Sequence, residues 1–160
     1  MSVWRHALAI GMLPFVVAVV VPGLVAWRNG ADLAAWQLAL LGVVLIALGL
    51  ALVAWTIALF AWVGRGTLAP WDPTSRLVVV GPYRHVRNPM IGGVLAILLG
   101  EAALFASAPL LLWFTAVFTV NAVYFPLVEE PGLRKRFGEE YDAYRANVRR
   151  WVPLLHPWEP

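Results

Sequence analysis

The 160-residue sequence contains no cysteine, which excludes a disulfide framework, thiolate catalysis and a thiolate metal site. Charge is scarce too: 13% of residues are Asp, Glu, Lys or Arg, where a soluble domain carries about a quarter. The three histidines, His6, His85 and His156, are too scattered to argue for zinc. No basic stripe accompanies a recognisable nucleic-acid-binding fold, so nucleic acid is not an expected partner. No internal repeat or low-complexity segment is visible. What fills the chain instead is apolar: 61% of residues are hydrophobic, and nine are tryptophan. This composition points to an integral membrane protein, an all-α bundle forming one domain over residues 1–160. The formal charge of +3 is modest, and the basic residues cluster in loops, where they suit anionic lipid headgroups.

Four apolar runs read as spans. Ala7 to Trp27 is too long for the h-region of a signal peptide and is expected to kink near Pro14 and fray at Pro22-Gly23. Leu33 to Val63 exceeds the ~20 residues that a bilayer needs, so it should tilt or protrude. Met90 to Ser107 and Leu110 to Val128 are shorter, and Ala108-Pro109 between them predicts a tight antiparallel hairpin. Arg5, the polar connection 64–89 and the tail after Val128 hold nearly all the basic residues. Four spans then put both termini and that connection in the cytosol. The tryptophans at 27, 36, 62, 71, 113 and 151 mostly flank spans and read as interfacial anchors.

The tail from residue 129 is cytosolic in this reading. Leu133, Phe137, Tyr141, Tyr144 and Val148 recur at helical spacing, which predicts one amphipathic helix. Lys135/Glu139 and Arg136/Glu140 would be opposite charges four apart on its wet side. The proline-bounded apolar stretch after it, Trp151 to Pro157, could fold back as a lid.

Two polar clusters stand out. In Gly81-Pro82-Tyr83-Arg84-His85-Val86-Arg87-Asn88-Pro89-Met90, Asn88-Pro89 is a helix-start signature. Such an N-terminus can cap a helix and nothing more, or it can receive a carboxylate or phosphate. Gly92 and Gly93 leave room for a ligand or another backbone, and Arg84 and Arg87 add charge, with Arg84 the better fit to lipid phosphates. Glu129-Glu130 ends the last span, where the helix dipole is already negative and Pro131 is expected to stop the helix. Either the pair is two solvated acids at the membrane rim, or it meets a cation or an arginine from the 81–89 loop. A sulfonium-bearing amino acid cofactor would satisfy both clusters, its carboxylate at the helix start and its ammonium at the glutamates. Glu101 is an acid inside a predicted span, a helix-bonding residue with Asn121 as a candidate partner or a functional one.

These residues resemble the isoprenylcysteine carboxyl methyltransferase and phospholipid methyltransferase superfamily of membrane enzymes. The match lies in Gly81-Pro82-Tyr83, Arg87-x-Pro89 and Val128-Glu129-Glu130. Phe137-Gly138-Glu139-Glu140-Tyr141-x-x-Tyr144 and Arg150-Trp151-x-Pro153 continue it. The motif histidine is Asn88 here and the motif tyrosine is Ile91; Asn-Pro-Met is similar to the phosphatidylethanolamine methyltransferases. The resemblance implies a four-span, or five-helix, membrane bundle that uses S-adenosylmethionine as methyl donor. It implies cofactor contacts from Tyr83, His85, Val86, Arg87, Asn88, Pro89, Met90, Glu129 and Glu130. Arg87 and Glu130 are the candidate catalytic residues, and Glu130 could take a proton from an amine. The acceptor would be a lipophilic small molecule or lipid with an amine, thiol or carboxylate nucleophile, entering from the bilayer. Isoprenylcysteine-type carboxyl methylation, a cofactor-free scaffold or accessory subunit, and an NADPH-dependent reductase are the alternatives.

Overall fold

The computed structural model describes residues 15–30, 32–63 and 76–159, and all regular structure among them is helical. The chain runs through α1 (Val16–Asn29), α2 (Trp36–Trp62), α3 (Pro89–Leu104), α4 (Ala108–Phe137) and α5 (Glu139–Asn147). A 3₁₀ turn, Gly81–Arg84, precedes α3. Among the described residues two helices are long and apolar enough to cross a membrane, Trp36–Phe60 and Ala108–Phe137; Val16–Asn29 and Pro89–Leu104 are shorter apolar helices. The expected kink at Pro14, the anchor Trp71 and residues 64–75 of the polar connection lie outside the described residues.

Helices α2 and α3 form the tightest pair, and glycine sets their distance. A Cβ on Gly49 would stand 2.6 Å from the Gly93 carbonyl oxygen, and one on Gly42 2.6 Å from that of Gly100. The glycines are seven apart on each helix and meet in antiparallel order. So close an approach gains dispersion contact where lipid offers no hydrophobic drive. Gly93 therefore receives another backbone, whereas a Cβ on Gly92 would meet open space.

The hairpin between α3 and α4 turns earlier than Ala108-Pro109. Ser107 is the N-cap, accepting from the Leu110 N–H at 3.5 Å, and Pro109 sits in the first turn of α4, where its missing N–H costs nothing. Proline also fails to end a helix at Pro22, Pro126 and Pro131. In α1 the segment Val16–Val20 widens to a π-turn in which the Val21 N–H bonds the Val16 carbonyl, and the helix continues through Pro22-Gly23 to Asn29. In α4 the segment Phe125–Glu129 does the same, with the Glu130 N–H on Phe125, and the helix passes Pro131 to reach Phe137. Each wide segment ends two positions before a proline. The proline then falls in the first turn of a renewed α-helix, where no partner for its nitrogen is required.

The tail is two helices rather than one. Gly138 at φ 54° breaks the stripe, a backbone state that glycine adopts without a Cβ clash. The apolar residues nevertheless converge: Tyr141, Tyr144 and Val148 form a buried cluster against which Leu133 and Phe137 pack. Across the break Arg134 pairs with Asp142 at 3.1 Å; the pairs Lys135/Glu139 and Arg136/Glu140 are not among the ion pairs of the described residues.

Candidate functional site

The site is built where the 81–90 segment, the wide turn of α4 and the tail meet. Asn88 precedes Pro89 as expected, but its side chain makes no capping bond; its backbone carbonyl accepts the first helical bond, from Gly92, at 3.0 Å. The capping expectation for that side chain therefore fails. Its Nδ2 is buried with no partner.

Glu130 is the hub. Its side chain is 5% exposed and meets three guanidiniums: Arg87 at 3.0 Å, Arg150 at 2.6 Å and Arg145 at 3.3 Å. Arg87 and Arg150 donate to the same oxygen, Oε1. Arg145 lies beside Oε2 at a distance that makes an ion pair, but in an orientation that leaves Oε2 without a hydrogen bond. The π-turn ahead of Pro131 carries the helix on to Phe137, with the Glu130 N–H bonded to the Phe125 carbonyl, so Glu130 lies within α4. The unfavourable C-terminal placement expected from the sequence therefore does not arise. Three positive charges on one carboxylate leave the cluster with an excess of positive charge.

Arg87 is itself deeply held. Its side chain is 11% exposed, it donates to the Tyr141 hydroxyl at 3.3 Å, and its backbone N–H bonds the Arg149 carbonyl at 2.9 Å. Its Nε is buried and unpartnered. Arg84 differs: it is more exposed and turns to the tail, with Nε on the Trp158 carbonyl at 2.8 Å and Nη2 on Glu159 at 2.8 Å. Tyr83 is buried, and its carbonyl accepts a 2.6 Å bond from the Tyr144 hydroxyl. Burial pushes the Tyr144 phenol well above its ordinary value, which keeps it a neutral donor. Val86, Pro89 and Met90 complete the segment. Glu129 stands half-buried next to the hub.

The tail docks across this segment by backbone pairing. The Leu154 N–H bonds the His85 carbonyl at 2.8 Å and the Trp158 N–H bonds the Arg84 carbonyl at 2.9 Å; His85 Nδ1 meets the Leu154 carbonyl at 2.8 Å. Trp151 turns inward against α4, with ring centroids 5.5 Å from Phe118 and 6.0 Å from Phe125. Trp113 is likewise no simple anchor, because its Nε1 donates to the Val17 carbonyl at 3.0 Å. Trp27, Trp36 and Trp62 are exposed at helix ends, as anchors should be. An open cleft of about 450 Å³ lies between Leu52 and Trp55 of α2, the Gly81–Val86 turn, Pro89 and the tail prolines Pro153 and Pro157.

Sequence reasoning missed Arg145 and Arg150 as site residues. A signal existed: Tyr141 and Arg145 are four apart on α5, and both reach the Arg87–Glu130 pair. Glu101 does not join Asn121, whose amide bonds the Val117 carbonyl of its own helix; Glu101 Oε2 is buried without a partner.

The phospholipid methyltransferase family matches residues 37–140, well over half of the chain. The chain belongs to that family. The family is one of methyltransferases acting on lipid-type substrates, and the match contains α2, α3, the 81–90 segment and the Glu129-Glu130 turn. The tail residues Tyr141, Tyr144, Arg145 and Arg150 fall beyond it. No curated protein and no solved structure matches the chain.

Proposed function

We propose that this phospholipid methyltransferase family member is a four-span membrane enzyme that transfers a methyl group from S-adenosylmethionine to a lipid or lipophilic small molecule. The observation that carries the reading is the set of buried, unpartnered polar atoms around Glu130: Arg87 Nε, Asn88 Nδ2 and Glu130 Oε2. Native interiors rarely leave such atoms unsatisfied, so a polar ligand is their natural complement. Two of the three are donors beside the N-terminus of α3, in a cluster with excess positive charge, which suits the carboxylate of the cofactor's amino acid end. Its ammonium suits Glu129 and Glu130 Oε2, which accepts no hydrogen bond, so the residues present fit the group.

S-adenosylmethionine, when bound, supplies a methyl group activated by a sulfonium, so the acceptor needs only a lone pair held in line. The chain's part is orientation and exclusion of water. Arg87 binds and orients, Glu130 holds Arg87 and ties the tail to the core through Arg145 and Arg150, and Tyr144 and the backbone-paired tail segment keep the 81–90 segment closed. This division of labour makes Glu130 an organiser rather than a proton acceptor. Protonating it would remove the one negative charge that gathers three guanidiniums. Orientation in the membrane follows the basic residues, with the site at the cytosolic face.

Calorimetry on the purified protein in detergent tests the cofactor. S-adenosylhomocysteine should bind and NADPH should not, and Arg87→Ala should abolish the heat. Binding of NADPH alone would favour the reductase. Binding of neither would favour a cofactor-free scaffold.

A further inference from the structure

Of the arginines beside the tail, Arg145 and Arg150 pair with Glu130, and Arg84 pairs with Glu159. The Arg149 guanidinium enters no ion pair among the described residues. Arg149 instead lines a second cleft, of about 340 Å³, with Pro153, Leu154, Leu155 and His156. Leu155 is 93% exposed and Val152 58% exposed, so this strap of chain turns apolar side chains outward between two basic ones. Contacts fix its level along the bundle. Pro153 also lines the larger cleft with Leu52 and Trp55 of α2, which lie about 10–15 Å back along the helix from its exposed last residue, Trp62. Trp151, at the head of the strap, rests on Phe118 and Phe125 in the apolar run of α4. Trp55 is itself exposed, so the strap continues the lipid-facing flank of α2 and does not stand off in water. Irregular backbone at that depth needs its polar groups met. Pro153 and Pro157 have no N–H to satisfy, and the N–H groups of Leu154 and Trp158 bond the His85 and Arg84 carbonyls.

We propose that the strap 149–156 is a binding site for an anionic phospholipid of the cytosolic leaflet. The lipid phosphate meets Arg149 and His156, and an acyl chain covers Leu155 and Val152. A phosphodiester accepts both the guanidinium fork and an imidazole N–H. The arginine stem can lie along Leu155 while its charged head stays at headgroup level. The charge balance selects the lipid class: a zwitterionic headgroup brings its own cation to compete for the phosphate, and an anionic one does not. A water-soluble phosphate would satisfy the same two residues but leave Val152 and Leu155 uncovered, whereas a lipid answers all four. The inference rests on the membrane placement in the reading above and not on methyl transfer.

The chain has no cysteine, so a single introduced one is the sole labelling site. Leu155→Cys, Val120→Cys on the exposed side of α4 and Glu140→Cys on α5 would each carry a nitrobenzoxadiazole fluorophore. The full-length protein is placed in vesicles of phosphatidylcholine and phosphatidylglycerol. Nitroxides on the acyl chains should quench Leu155→Cys and Val120→Cys, and aqueous iodide should quench Glu140→Cys. Nitroxide carried on phosphatidylglycerol should quench Leu155→Cys more than the same amount carried on phosphatidylcholine. Adding Arg149→Gln should cut that preference about fivefold, the worth of one basic group at an anionic surface, and adding His156→Gln should cut it less. Iodide quenching of Leu155→Cys without acyl-chain quenching would put the strap in water and overturn the proposal. Equal quenching by the two labelled lipids, or a preference untouched by Arg149→Gln, would overturn it as well. Absence of acyl-chain quenching at Val120→Cys would instead sink the membrane placement, and the lipid site with it.

Discussion

The wide turns of α1 and α4 are built alike and used differently. In both, the N–H of one residue reaches back five positions, Val21 to Val16 and Glu130 to Phe125, and a proline follows at once. In both, the carbonyl one step along would next be reached by that proline, which has no N–H to give. For α1 this is Val17, and Trp113 of α4 supplies the missing donor, so the defect becomes a fastener between two helices. For α4 the same register change places Glu130 to face Arg87, Arg145 and Arg150. One turn closes the fold, and the other aims a charge. A π-turn marks a position under constraint, but only its surroundings tell whether the constraint serves packing or a site.

The sharpest way to break the comparison is to remove the aimed charge. Glu130→Gln leaves three guanidiniums gathered around a neutral amide, a loss of about 3–5 kcal/mol for a buried pair stripped of one partner. Thermal unfolding in micelles should fall steeply and S-adenosylhomocysteine binding should vanish. Glu129→Gln leaves the clasp intact and should weaken binding by roughly tenfold, the worth of one charge-assisted hydrogen bond. Equal behaviour of the two variants would remove the distinction drawn between the glutamates.

Next in size is the proline pair. Pro131→Ala permits an ordinary α-turn, which would rotate Glu130 by about 100° relative to the helix before it. Cofactor affinity should drop several-fold while far-ultraviolet circular dichroism stays parental. Pro22→Ala should leave affinity alone. The smallest effect belongs to Trp113→Phe, which removes the donor to Val17 and should cost about 1 kcal/mol of stability with unchanged S-adenosylhomocysteine affinity. A loss of cofactor binding in Trp113→Phe would mean that the two turns are coupled and not separate devices.

The helical class and the helices around 33–63 and 90–107 were legible in the sequence, because hydropathy is a local signal; an arginine of the 81–89 loop on the glutamate pair was one of two readings left open, and the structure brings Arg87 to Glu130 alone. The continuation of α4 past Pro131 was not. Proline forbids a bond, but it does not say whether the helix ends or re-registers, and Glu130 settles that only through arginines fifteen and twenty residues away. The break at Gly138 was hidden for the opposite reason: the apolar stripe is real, but the residues meet as a cluster around a turn rather than along one helix. Asn88 shows the limit of a motif. The residue type and position fit a cap, yet its amide is left free.

The central claim, a methyltransferase whose donor is held at the Arg87–Glu130 clasp, is tested most directly by following a labelled methyl group. Purified protein in mixed micelles with lipid extract and methyl-tritiated S-adenosylmethionine should move label into the organic phase, and Arg87→Ala should not. Label that stays in the aqueous phase with the parent protein, or moves equally well with Arg87→Ala, would contradict the account.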